Sequence, residues 1–198
     1  SGGPQGTVTA TAGRNLNNVA GSIPRKPGYT FAGYYTDNNI QCYRADGSSA
    51  LVWPGGPVRG TLYARWTPNS YTVQYRNKAD TVTLSTDAGF KYDTARNLAA
   101  KPTSGVSAGY TAVGWATSKN QSSATYGFGS SQKNLTTSGT KTLYLAETPN
   151  SYTVEYYNKA GTTKLSTDTG FKYDTARALA AKPTSGVTPG YIARGWAI

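Results

Sequence analysis

Residues 68–116 read PNSYTVQYRNKADTVTLSTDAGFKYDTARNLAAKPTSGVSAGYTAVGWA, and residues 149–197 return as PNSYTVEYYNKAGTTKLSTDTGFKYDTARALAAKPTSGVTPGYIARGWA. About 38 of 49 aligned positions are identical without a gap, which gives an internal repeat with a period of about 81 residues. Residues 28–34 align with residues 109–115 at the same spacing, so the period extends into the first third of the chain. A unit of this length exceeds the repeats of solenoid proteins and predicts small domains in tandem, each with its own core.

The phase of the repeat predicts three domains. Residues 1–67 form a first repeat that lacks its opening strand, residues 68–148 a second and complete repeat, and residues 149–198 a third repeat truncated at the C-terminus. Sheet edges are therefore expected to be exposed in the first and third repeats, and homo-association through these edges is expected.

Short alternating runs predict strands in the complete repeat. Tyr71, Val73 and Tyr75 alternate with polar residues, a pattern typical of a strand with one buried face. Further short strands are predicted at residues 82–84, 90–92, 110–116 and 142–146.

One short helix is predicted in each unit. Asp93 precedes residues 94–101, a run of mostly good helix formers that ends at Pro102, and Asp174 precedes the equivalent run at 175–182. An aspartate in this position is a favourable N-cap. The predicted fold class is therefore mainly β, of the α+β type, with four or five strands and one short helix in each unit.

Charge and composition limit the class of partner. The formal net charge is +11, but the basic residues are distributed evenly among the copies, and no Lys/Arg run is longer than Arg25-Lys26. This distribution favours a solvated basic face over a nucleic-acid or polyanion site. No apolar run approaches the roughly 18 residues of a membrane span, so no membrane insertion is expected of this stretch.

The residue types needed for common chemistry are scarce. The chain has no His and a single cysteine, Cys42, so we predict no catalytic residues, no metal site and no cofactor. Two recurrent carboxylate pairs, Asp87 with Asp93 and Asp168 with Asp174, fit a turn and a helix cap better than an acid and a base. We therefore expect a protein that is not an enzyme.

Residues 26–66 carry the segments KPGYTFAGYYT and GTLYARW. They resemble the Listeria–Bacteroides repeat, also called the internalin B-type B-repeat, with its G-Y-x-F-x-G-W and T-L-Y-A-x-W patterns. The resemblance implies tandem small β-grasp-like domains on a bacterial cell surface or in a secreted, extracellular protein. It implies no catalytic residues and no agreed set of ligand-binding residues.

The later copies depart from the pattern of this family. Ala112 and Ala193 occupy the position of Phe31, and residues 145–147 (Leu-Ala-Glu) replace residues 64–66 (Ala-Arg-Trp). Copies two and three thus form a divergent subtype.

Two segments of equal length, 37–60 and 118–141, differ almost completely between the copies, although their flanks align. Variable loops on a constant frame are where recognition usually resides. Aromatic and Arg residues dominate binding hot spots, and the candidate ligand-binding residues are Tyr43, Arg44, Trp53, Arg59, Tyr126 and Phe128. The alternative is that Trp53 and Tyr126 cover a small core.

The sequence favours a non-enzymatic tandem-repeat stalk or adhesive spacer of a bacterial cell-surface or secreted protein. The alternative is a glycan- or polyanion-binding module that acts through loops 37–60 and 118–141. A surface protein or glycan of a host or neighbouring cell is the expected partner.

Overall fold

The structure is a computed structural model that describes residues 8–19, 21, 23–55 and 60–197. It is mainly β, as the alternating sequence predicts. Within the described residues the strands are β1 (Tyr29–Tyr35), β2 (Gln41–Tyr43), β3 (Tyr63–Pro68), β4 (Ser70–Arg76), β5 (Thr83–Lys91), β6 (Arg96–Asn97), β7 (Tyr110–Ala116), β8 (Ser131–Gln132), β9 (Gly139–Pro149), β10 (Ser151–Tyr157) and β11 (Lys164–Lys172).

The strands form sheets that follow the repeat. The first copy contributes a sheet of order β2-β1-β3, the second a sheet of order β5-β4-β9-β7, and the third the pair β10-β11. The short strands β6 and β8 pair with each other. Equivalent strands of different copies therefore take equivalent positions, because β1 pairs with β3 as β7 pairs with β9.

Most of the predicted strands are confirmed, with one correction. The strand over Tyr71–Tyr75 is β4, residues 110–116 are β7, and residues 142–146 lie inside the longer β9. Residues 82–84 and 90–92 are predicted as separate strands, but the single strand β5 (Thr83–Lys91) contains most of both segments and all the residues between them. Asp87 and Gly89 do not end the strand, because β5 pairs with β4 in the sheet and this pairing outweighs their turn propensity.

The predicted helices are wrong, since neither residues 94–101 nor residues 175–182 are helical. Asp93 and Asp174 have positive φ angles of 58° and 55°, which an N-cap residue does not adopt. The predicted mainly β class is therefore correct, but the predicted short helix of each repeat is absent.

Tertiary hydrogen bonds replace the helix at its centre. The N–H of Ala99 donates to the hydroxyl of Tyr75 at 3.0 Å, and the carbonyl of Ala99 accepts from the indole of Trp115 at 2.9 Å. The third copy repeats this arrangement, with Ala180 between Tyr156 and Trp196. Helix propensity is a weak preference that such contacts override.

The chain divides into two compact units. The first contains the described residues of 1–74 together with 85–98 and 130–142, and the second contains residues 75–84, 99–129 and the described residues from 143 onward. Each unit therefore includes parts of more than one repeat.

Aromatic residues dominate the core of each unit. In the first unit, Tyr43 packs with Leu16 and Cys42, and the rings of Tyr71 and Phe90 lie 5.4 Å apart. In the second unit the main buried side chains are Tyr75, Trp115, Leu143, Leu145 and Tyr156. Of these side chains, Tyr71, Tyr75, Phe90 and Trp115 recur one period later in the sequence.

Candidate functional site

The most regular feature of the structure is a cluster of contacts, here called the joint, between one copy and the next. The first joint consists of Gly28, Tyr29, Thr30, Asn69, Tyr92 and Asp93, and the second of Gly109, Tyr110, Thr111, Asn150, Tyr173 and Asp174. The first joint lies within the first unit and the second within the second unit. Corresponding members are separated by one sequence period.

An asparagine between the copies is the centre of each joint. In the first joint, the N–H of Asn69 donates to the carbonyl of Gly28 at 2.9 Å, and its carbonyl accepts from the N–H of Tyr92 at 2.9 Å. The side-chain oxygen of Asn69 accepts from the hydroxyl of Thr30 at 2.7 Å. The segment between the copies is therefore hydrogen-bonded to both of them.

A tyrosine and a carboxylate complete the first joint. The hydroxyl of Tyr29 donates to Oδ2 of Asp93, and the ring of Tyr29 meets that of Tyr92 edge-on with centroids 5.5 Å apart. The other carboxylate oxygen of Asp93 accepts from the amide of Asn134 at 2.7 Å. Asp93 thus connects the copies, where the sequence predicted a helix cap.

The second joint repeats these contacts. The N–H of Asn150 donates to the carbonyl of Gly109 at 2.9 Å, and its carbonyl accepts from the N–H of Tyr173 at 2.9 Å. The hydroxyl of Tyr110 donates to Asp174 at 3.0 Å, and the rings of Tyr110 and Tyr173 lie 5.7 Å apart. The same contacts therefore recur one period later.

Each joint requires glycine at its first position. Gly28 and Gly109 have φ angles of 79° and 76°, which L side chains rarely adopt. A Cβ at either glycine would also collide with the ring of Tyr92 or Tyr173.

Hydrogen bonding changes the acidity of the joint residues. The bond to Asp93 raises the pKa of Tyr29, and the bonds from Tyr29 and Asn134 lower the pKa of Asp93. The bond to Asp174 likewise raises the pKa of Tyr110. The first joint is therefore favoured when Asp93 is ionised and Tyr29 is protonated, and the second when Tyr110 is protonated.

The first-copy candidates for ligand binding lie mainly against the core. Tyr43 is buried, and Trp53 packs against the cluster that contains Tyr43. The guanidinium of Arg44 donates to the carbonyl of Ser49 within its own loop. Arg59 lies outside the described residues.

The second-copy candidates lie together against one core residue. The N–H of Tyr126 donates to the carbonyl of Trp115 at 2.9 Å, and the ring of Phe128 meets the ring of Trp115 edge-on at 5.5 Å. Only the contact of Phe128 involves the candidate's side chain, since that of Tyr126 is a backbone bond, and ligand binding by the six candidates stays a prediction.

Sequence reasoning missed a groove in the first copy, here called the Trp66 groove. It has a volume of about 530 Å³, and Phe31, Trp66, Arg25 and Lys26 are among the residues that line it. Phe31 and Trp66 occupy positions that are alanine and glutamate in the second copy. That pair of differences is the sequence signal for the groove.

The recurrent carboxylates outside the joints form ion pairs. Asp87 binds Arg96 at 2.8 Å, and Asp168 binds Arg177 at 2.7 Å. Arg96 lowers the pKa of Asp87 through this hydrogen bond. Across the described ranges, no group of three or more His, Cys, Asp or Glu residues could hold a metal ion.

Comparison with known proteins identifies relatives of the repeat. The family model for the Listeria-Bacteroides repeat domain matches residues 1–52 and 71–144. A protein of Evansella cellulosilytica with the description "Putative membrane protein" is 32% identical over 100 residues, which cover 50% of this chain and 14% of that protein. No solved structure matches the chain. Among the residues that the structure describes, no helix has the length and hydropathy needed to cross a membrane.

Proposed function

Because the chain belongs to the Listeria-Bacteroides repeat domain family, we propose that it is a non-enzymatic spacer in a bacterial surface protein. The spacer projects or supports another part of that protein outside the cell. We further propose that each repeat is a β-grasp-like domain, with domains at 1–67, 68–148 and 149–198.

The observation that carries this proposal is the recurrence of the joint. A spacer must set the distance between its ends, so successive domains must be held in the same way each time. Asn69 and Asn150 are each bonded to the copy before and the copy after, with matching distances of 2.9 Å. Flexible linkers in tandem proteins lack such bonds and behave as random coils.

The carboxylate contacts support the absence of catalysis. An acid and base pair needs two carboxyl groups that face a common substrate space. Here Asp87 and Asp168 bind arginines, whereas Asp93 and Asp174 bind the tyrosines of the joints. All four side chains have structural partners, either in the same copy or in the copy before it.

Distances between spin labels test whether the second joint is rigid. Exposed Lys119 and Lys182 lie on either side of this joint within the second unit and can each be replaced by labelled cysteine in a Cys42→Ala background. We expect a narrow distribution of label distances, which becomes broader in Asp174→Ala because the Tyr110 hydroxyl loses its acceptor.

The matched control for this measurement is Asp168→Ala, which removes an ion pair of the same copy outside the joint. It should leave the distance distribution narrow. A broad distribution in the unmodified chain would contradict a rigid joint, and so would equal broadening by both variants.

The Trp66 groove supports a second candidate function, the binding of an acidic glycan. The half-buried indole of Trp66 provides a flat surface for a sugar ring, the buried ring of Phe31 packs against it, and Arg25 and Lys26 provide positive charge beside it. The position of these residues favours this groove over loops 37–60 and 118–141 as the binding surface.

Binding of a sulfated polysaccharide such as heparin tests this candidate. We expect binding at low salt that weakens as salt increases and that is reduced in Trp66→Ala. The matched control is Trp53→Ala, which removes a tryptophan that packs on the core. The absence of binding at low salt, or an equal loss in both variants, would contradict it.

A further inference from the structure

Each joint places two tyrosine rings side by side, one from each of the copies that it connects. In the first joint the ring centroids of Tyr29 and Tyr92 are 5.5 Å apart, with 71° between the ring planes. In the second joint the corresponding values for Tyr110 and Tyr173 are 5.7 Å and 74°. Two rings that meet edge-on at this separation are in van der Waals contact. The same pair therefore recurs with nearly the same geometry.

A glycine of the preceding copy holds one ring of each pair in place. A Cβ on Gly28 would lie 2.5 Å from three atoms of the Tyr92 ring, so this ring rests directly against the backbone of the first copy. Gly109 has the same relation to the ring of Tyr173. Rings that are held in contact before a reaction couple faster than rings that must first find each other, because little entropy is lost in the reaction.

The other ring of each pair has a proton acceptor. The hydroxyl of Tyr29 donates to Oδ2 of Asp93. The hydroxyl of Tyr110 donates to Oδ2 of Asp174 at 3.0 Å. Loss of one electron makes the hydroxyl proton of a phenol strongly acidic, so a carboxylate that can take up this proton favours formation of the neutral phenoxyl radical. Each joint thus combines two rings in contact with a base, which are the groups that oxidative coupling of tyrosines requires.

We propose that each joint is a site of dityrosine formation, in which a haem peroxidase and hydrogen peroxide oxidise the two rings. Each tyrosine gives up one electron and its hydroxyl proton, and the proton of Tyr29 or Tyr110 passes to the aspartate while that of its partner passes to water. The two radicals form a bond between ring carbons ortho to the oxygens, and the hydrogen on each of these carbons moves to the adjacent oxygen. Overall, two tyrosines and one hydrogen peroxide give one dityrosine and two waters.

Another tyrosine pair of the chain lacks the features that select the joints. The rings of Tyr34 and Tyr43 meet edge-on with centroids 6.2 Å apart. Tyr43 is only 1% exposed, and among the described residues its hydroxyl has no hydrogen-bond partner. Tyr29 and Tyr92, in contrast, are both half-buried, so an oxidant in solution reaches them. We therefore expect coupling at the joints and none between Tyr34 and Tyr43.

A crosslink at either joint connects two successive copies by a covalent bond. Such a bond persists when the hydrogen bonds of the joint are broken, so the two copies stay connected at this point after unfolding. The inference concerns the chemistry of the joints and does not depend on the spacer function. Failure of the rings to couple would leave the label distances across the second joint unchanged.

Oxidation of the dilute full chain with a haem peroxidase and hydrogen peroxide tests the proposal. We expect dityrosine fluorescence in the monomer, and mass spectrometry of the digested protein should find two crosslinks, 29–92 and 110–173. Tyr29→Phe should abolish the first crosslink and retain the second, whereas the control Tyr34→Phe should retain both. Absence of both crosslinks from the unmodified chain would overturn the proposal, and so would crosslinks spread evenly over other tyrosines.

Asp174→Asn tests the proton acceptor within one molecule. The amide oxygen can still accept a hydrogen bond from the hydroxyl of Tyr110, but it cannot take up the proton. The 110–173 crosslink should therefore form at least about tenfold more slowly, while the 29–92 crosslink of the same chain forms at its usual rate and serves as the control. An unchanged ratio of the two rates would contradict the role of the carboxylate.

Discussion

Two aligned positions on neighbouring strands have changed together between the copies. Phe31 on β1 lies opposite Trp66 on β3, and their rings are 5.5 Å apart. At the same register in the second copy, Ala112 on β7 lies opposite Glu147 on β9. The aromatic pair lines the Trp66 groove in the first copy, so this exchange explains how one fold presents different surfaces.

Glu147 should stabilise the second copy through a backbone hydrogen bond. It is fully buried, and its Oε1 accepts from the N–H of Ser107 at 3.1 Å. Glu147→Ala leaves that N–H without its acceptor and should lower the free energy of unfolding by about 1–3 kcal/mol. Glu147→Gln retains a carbonyl acceptor and should cost less. Denaturant unfolding measures both values, and an equal loss would contradict this role.

Gly109 of the second joint and Gly190, the aligned residue of the third copy, allow a paired test of crowding and backbone strain. Gly109 and Gly190 have φ angles of 76° and 82°, but only Gly109 has a ring beside it. Each Ala substitution should lower the free energy of unfolding by about 1 kcal/mol, because a positive φ strains any residue that has a Cβ. Gly109→Ala should lower it by a further 1–3 kcal/mol or so, because the new Cβ collides with the ring of Tyr173. Unfolding free energies of the two variants give the comparison. Equal losses of unfolding free energy in the two variants would contradict a contribution from the collision with Tyr173.

At the level of elements, sequence periodicity predicted most strands correctly, whereas the two predicted helices are absent. Alternation identified β4 and β7 because the side chains of a half-buried strand must alternate. The run after Asp93 has good helix formers, but its conformation depends on Tyr75 and Trp115, which bind Ala99 from distant parts of the sequence. No local pattern contains that information.

The sequence predicts only part of each joint. The Gly-Tyr and Tyr-Asp pairs recur in the sequence at constant spacing. In the structure, residues of these pairs contact one another. Their pairing was not visible, because Tyr29 reaches Asp93 in the next copy through the fold of both domains. The Trp66 groove was missed for the same reason.

Acid should weaken the first joint, and alkali should weaken the second. The pKa of Asp93 is lowered, so its contribution is fully present above about pH 3.9 and is lost as the pH falls through the lower folded-state value. The pKa of Tyr110 is raised, so its contribution is present below about pH 10 and is lost as the pH rises through the higher folded-state value.

Label distances across the second joint can detect the alkaline change. The distribution between positions 119 and 182 should be narrow at neutral pH and become broader well above pH 10 or so, as the Tyr110 hydroxyl ionises beside Asp174. Tyr110→Phe should remove this dependence and give an intermediate width at every pH. An alkaline transition that persists in Tyr110→Phe would assign the change to another group.

For the whole molecule, the recurrence of one joint has a consequence for length. If each joint holds its two domains in the same way, every added copy should extend the protein by the same step. A compact domain of about 80 residues has a radius of gyration near 12 Å, which corresponds to a step of roughly 30 Å. A spacer of this kind changes its reach through the number of copies.

Solution scattering from chains with one, two and three additional copies of residues 68–148 tests the central claim most directly. The measurement is the maximum dimension of each chain, extrapolated to zero protein concentration. We predict equal increments of roughly 30 Å per copy. Increments that shrink with each copy, as in a particle that grows more compact, would contradict the account.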